Sequence, residues 1–136
     1  MEQYPFTEKD LIQHNQLWHS FGHHGCFSAE NPQQVLENIN RTSRQAYSFL
    51  KSAACLFMTF GTARAYRHIG TDQTVANCHK LPSAEFEHFC LSANQVSTMC
   101  QELFNRLWSF NPSLQIVLTV SPCEALERWP PGQPGQ

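Results

Sequence analysis

The chain has 136 residues, room for one domain of ordinary size, with a formal net charge of −2 and only 15% charged residues against 41% hydrophobic. That balance leaves no basic footprint for nucleic acid or anionic lipid, and it is too apolar for a disordered chain. The longest apolar run, residues 53–60, is far short of the roughly 20 that span a bilayer, and no secretory pattern follows Met1, so a cytoplasmic globular protein is expected.

The first element expected is a short helix. Thr7 stands as its N-cap with Glu8 and Asp10 in the first turn, and Leu11, Ile12, Asn15 and Trp18 form one mostly apolar face. The pattern breaks over residues 19–29, where Gly22, His23, His24 and Gly25 mark a loop. Asn31-Pro32 then opens a second helix, Asn as cap and Pro at the first helical position, where its missing N–H costs nothing. Val35, Leu36, Ile39, Ala46, Phe49 and Leu50 recur at helical spacing as far as Lys51.

Residues 53–60 are a short uninterrupted apolar run closed by Gly61, which reads as a strand buried on both faces of a parallel sheet. The Gly61-Thr62 turn therefore falls at a strand carboxyl end, where open α/β sheets place ligands. Residues 62–90 read as irregular, with a short strand at Thr74-Val75-Ala76. Ser92 and Gln95 make a capping box for a helix whose apolar face is Val96, Met99, Cys100, Leu103, Phe104 and Leu107, ending before Asn111-Pro112. Residues 114–120 read as a second buried strand, parallel to and beside the first. The Pro/Gly-rich residues 123–136 read as a disordered tail.

Six cysteines, with no C-x-x-C pair, read as reduced thiols in a non-secreted chain. Gly61 and Thr62 offer a turn with hydroxyl and backbone donors for an oxyanion or phosphate. Asn77-Cys78-His79-Lys80 puts an amide, a thiol, an imidazole and an ammonium into four residues, although sequence neighbours point different ways. His19, His23, His24 and Cys26 form neither an H-E-x-x-H motif nor a zinc-finger pattern, so no metal and no cofactor is expected.

The order of segments carries a resemblance. Pro5-Phe6-Thr7-Glu8-Lys9-Asp10-Leu11 is followed by Leu17-Trp18-His19-Ser20-Phe21, His23-His24-Gly25 and Phe27-Ser28. Thr59-Phe60-Gly61-Thr62-Ala63 comes next, then Val75-Ala76-Asn77-Cys78-His79-Lys80-Leu81-Pro82, Phe86, Leu91-Ser92 and Thr119-Val120-Ser121-Pro122. This series resembles the GSCFA domain family over roughly residues 5–122.

The resemblance implies a branch of the SGNH/GDSL-type hydrolases: a flavodoxin-like α/β fold, three layers, with a parallel sheet between helices. It implies acyl transfer from an ester, of a small molecule or a glycan, by a serine and a histidine base. Gly61-Thr62 would lie at the oxyanion motif, but Ala63 stands where the motif has its amide, so Asn77 becomes the candidate donor and His79 the candidate catalytic histidine. Gly25-Cys26-Phe27-Ser28-Ala29 has the family's eponymous residue types but belongs by its neighbours to the His-His loop. The block bearing the nucleophile would lie upstream, and after Ser121-Pro122 the family's terminal Asp/His region is replaced by Cys123-Glu124-Ala125-Leu126. The chain thus reads as a partial domain over residues 1–122 with an incomplete sheet, weakly active or inactive alone, and marginally stable, aggregation-prone or dependent on a partner that completes the sheet. Two alternatives are a ligand-binding module without catalysis, and a hydrolase with Ser28 or Cys78 as a relocated nucleophile.

Overall fold

The computed structural model describes residues 5–120; Ser121-Pro122 and the tail lie outside the described residues. Among the described residues the chain is α/β, with two α-helices and three small sheets. After a 3-10 turn at Glu8–Asp10, strands β1 (Ile12–His14) and β2 (Leu17–His19) form an antiparallel hairpin. The helix expected here does not form. Asn15 and Gln16 have φ of 49° and 63°, the left-handed pair that a two-residue hairpin turn requires and a right-handed helix forbids. Thr7 and Asp10 still meet, but around the 3-10 turn, where Asp10 Oδ2 accepts the Thr7 N–H at 2.8 Å.

Helix α1 (Pro32–Ser52) starts as its sequence dictates, with Asn31 Oδ1 accepting the Gln33 N–H at 2.8 Å and Pro32 in the first turn. Val35 and Ile39, one turn apart on its inner face, are the most deeply buried side chains, and they pack with Leu11, Phe6, Trp18 and Phe27. A second cluster joins Phe21, Val75 and Phe86 to Ile12, Cys78 and Leu81.

Strand β3 (Cys55–Phe60) pairs in parallel with β7 (Gln115–Val120), from Cys55 opposite Gln115 to Phe60 opposite Val120. The parallel neighbours expected from the two apolar runs are therefore present, joined through α2 (Ala93–Phe110). Ser92 and Gln95 cap α2 reciprocally: Ser92 Oγ accepts the Gln95 N–H and Gln95 Oε1 accepts the Ser92 N–H. Burial on both faces does not follow. Leu56, Met58 and Phe60 are half-buried, whereas Phe57 is 69% exposed and its register partner Val117 37%. Among the described residues the parallel sheet has only these two strands.

Asn111 fixes this pair to the rest of the chain. Its buried amide donates to the carbonyls of Leu50 and Ala53, both at 2.9 Å, and its N–H donates to the Leu107 carbonyl. One side chain so ties the end of α1 to the end of α2 and sets β3 beside β7. The short strand expected at Thr74-Val75-Ala76 forms one residue earlier, but the rest of residues 62–90 is not irregular. These residues hold β4 (Arg64–His68), β5 (Gln73–Val75) and β6 (Phe86–Cys90) in an antiparallel sheet of order β5-β4-β6. Its strands are short and polar, with Arg67 bridging to Glu87 across the β4–β6 pair, so they lack the apolar run that announces β3. The five cysteines among the described residues are free thiols.

Candidate functional site

Two places concentrate chemistry. The first is a histidine cluster where residues 19–28 meet the loop after β5. The Asn77 side-chain oxygen accepts the His79 N–H at 2.9 Å, an Asx turn that holds His79 and Lys80 in the left-handed region at φ of 49° and 61°. That turn drives the His79 ring inward, where Nε2–H donates to the Ser20 carbonyl at 2.7 Å and the ring stacks on His19 with centroids 4.6 Å apart. The N–H groups of Ala76 and Asn77 both donate to the Phe21 carbonyl, so the loop is sewn to the segment after β2.

Both rings are buried, His19 at 7% and His79 at 8% exposure. Burial pushes the His79 pKa below the ordinary imidazole value; the bond to Ser20 opposes that, and the charges that His19, His24 and His23 would carry lower it further. His23, bonded through Nδ1 to Ser20 Oγ at 2.9 Å, is also lowered by burial. Burial thus favours the neutral form of His79 and of His23. Among the described residues no group of three His, Cys, Asp or Glu side chains is placed to hold a metal ion. Burial raises the Cys78 thiol, which disfavours the thiolate a nucleophile needs.

The second place is an open groove of about 570 Å³ at the carboxyl end of β3, where the β7 strand passes under the first turns of α2. Phe60, Ala63, Leu91, Val96, Phe104 and Leu118 line it, with Ser97, Cys100 and Gln101 contributing from α2. Its wall is almost wholly apolar. The Leu91 N–H donates to the Ala63 carbonyl, which fixes the start of α2 against the turn leaving β3.

Of the residues singled out from sequence, Asn77 and His79 come together in the histidine cluster. Gly61 and Thr62 lie between Phe60 and Ala63 at the groove, both exposed. A Cβ on Gly61 would meet nothing within 4 Å, so the turn there is roomy rather than tight. In the sequence His19 is weighed only as a metal ligand and Ser20 not at all, although the Ser20 carbonyl and the His19 ring are what His79 rests on. The available signal was the buried character of a His-Ser pair between Trp18 and Phe21. The groove was missed because Val96, Cys100 and Phe104 read as an ordinary core face.

No helix among the described residues is long and apolar enough to cross a membrane. The sequence model of the GSCFA family matches residues 1–129 of the chain. No curated protein and no solved structure matches it.

Proposed function

The chain belongs to the GSCFA family, and from that premise we propose that it is a relative of the SGNH-type ester hydrolases that takes the acyl part of an ester into the groove beside β3, β7 and α2. The observation that carries this reading is the position of the groove. It opens where two paired parallel strands end, the place at which open α/β sheets take ligands, and it presents an apolar wall beside the exposed Gly61-Thr62 turn. A flavodoxin-like arrangement of the whole domain belongs to the same reading, with β3 and β7 as its central strands.

Turnover by this chain alone is slow. His79, the candidate catalytic histidine, is oriented by the Ser20 carbonyl and not by a carboxylate. Removing one member of a serine triad leaves about 10³–10⁴-fold catalysis over water. A module that binds esters without cleaving them is the second reading, favoured by the same groove.

Binding of p-nitrophenyl esters of increasing acyl length tests the assignment. Each added CH₂ should tighten binding roughly fourfold, from about 0.8 kcal/mol per buried CH₂, and Leu118→Asp should abolish the trend. Affinity independent of chain length would contradict it. Release of p-nitrophenol then separates the slow hydrolase from the binding module.

A further inference from the structure

Ser28 follows the Gly25–Phe27 turn, and its hydroxyl lies 2.7 Å from His19 Nδ1. The other ring nitrogen, Nε2, is 3.2 Å from the carbonyl oxygen of His14 on the paired strand β1. A carbonyl can only accept, so Nε2 carries the ring hydrogen and Nδ1 of the neutral ring presents its lone pair to the serine. Ser28 is therefore the donor. Two hydrogen bonds orient the ring, and the His79 ring packs beside it with centroids 4.6 Å apart.

Exposure separates the partners in the way a reacting pair needs. His19 is buried while Ser28 is half-exposed, so the base is shielded and the hydroxyl can be reached. Ser20 also bonds a histidine, His23, but Ser20 itself is buried and out of reach. Ser92 Oγ is engaged in capping α2. Nucleophile, base and a group orienting the base stand in sequence at Ser28, His19 and the His14 carbonyl.

We infer that Ser28 is an acyl-accepting nucleophile with His19 as its general base, and in its substrate class this rests on the ester reading above. Ser28 Oγ attacks the ester carbonyl carbon and forms the new C–O bond as its proton passes to His19 Nδ1. The tetrahedral intermediate expels the alcohol oxygen, which takes that proton from His19, and an acyl-serine remains. The N–H groups of Ser28 and Ala29 are already given to the carbonyls of Gly25 and Trp18 at 3.1 and 3.3 Å. They do not serve the oxyanion, and loss of one such donor costs about 10²–10³ in rate. Acylation of Ser28 and release of its acyl group both pass through such an oxyanion, so both steps are slowed, in keeping with weak turnover.

Diisopropyl fluorophosphate tests this on the full chain. Ser28 Oγ would form a P–O bond as the P–F bond breaks, fluoride leaving and the serine proton passing to His19 and then to solvent. Peptide mapping of the unmutated chain should find the adduct on Ser28, formed roughly tenfold or more faster than on the exposed Ser97, a modest share of the 10²–10⁴ that a positioned base supplies. His19→Gln, which can still donate to the His14 carbonyl, should slow labelling by about 10²–10⁴ and remove the inflection in its pH profile that imidazole ionisation creates. A purely structural His19 would leave that profile unchanged. An adduct absent from Ser28, or no faster there than on Ser97, would overturn the proposal even if the variant fails to fold. Ester binding in the groove without labelling of Ser28 would sink the serine alone. Labelling of Ser28 in a chain whose affinity ignores acyl length would support the serine and sink the groove.

Discussion

The half built on β1, β2 and the start of α1, and the half built on β3, β7 and α2, use their side chains in opposite ways. In the first, Leu11, Phe21, Val35, Ile39, Val75 and Phe86 are buried, and the polar groups buried with them are bonded: His19 to Ser28 and the His14 carbonyl, His79 to the Ser20 carbonyl. In the second, Leu107, Leu114 and Asn111 are buried while Phe57, Met99, Trp108 and Val120 remain exposed. The difference teaches where each half spends its hydrophobic surface. The first consumes it in a core whose polar network admits one arrangement; the second holds it open, on the sheet face bearing Phe57 and in the groove.

Matched truncations should expose that contrast most strongly. Ile39→Ala removes atoms from a side chain with 0% exposure, and urea unfolding should show a loss of about 2–5 kcal/mol. Asn111→Ala should come next. It strands the carbonyls of the half-buried Leu50 and Ala53, at about 1–3 kcal/mol in all, and the loss should loosen β3 against β7 in hydrogen exchange before it affects β1 and β2.

Acid should act on the first half alone. The folded-state pKa values of His79 and His23 lie below their unfolded values. Protonation then favours the unfolded chain, so this stability is fully present above the unfolded value of about 6.5 and is lost as pH falls through the folded values. The urea midpoint should drop as pH falls below about 6.5, and His79→Gln should flatten the drop. An unchanged midpoint would mean that the cluster does not titrate with folding. The smallest effect on stability belongs to Phe57→Lys, within about 0.5 kcal/mol, as for other exposed positions. Sedimentation should nonetheless show less self-association, because the face shared with Val117 loses its largest apolar group.

Local chemistry made both long helices legible. Asn31-Pro32 and the Ser92/Gln95 pair are end signals that act within one turn, and each forms the contact its residue types dictate. The parallel pairing of β3 and β7 followed from two unbroken apolar runs separated by a capped helix. The β1–β2 hairpin was illegible because Leu11, Ile12, Asn15 and Trp18 fit a helical face equally well, and the turn that decides against it, Asn15-Gln16, has no glycine to announce it. β4 and β6 were hidden because they are short and carry Arg64, Arg67, Glu87 and His88, whereas β5 was expected within one residue. Asn77 and His79 stood out in their own string, but the Ser20 carbonyl that receives His79 is 59 residues away. No local pattern encodes such a contact.

The central claim is that the opening beside β3, β7 and α2 receives an acyl chain, and photocrosslinking with a diazirine-bearing medium-chain ester tests it most directly. The account predicts adducts on Phe60, Val96, Phe104 and Leu118, competed away by the unlabelled ester. Adducts spread over Phe57 and Val117 on the open sheet face, or not displaced by competitor, would contradict it.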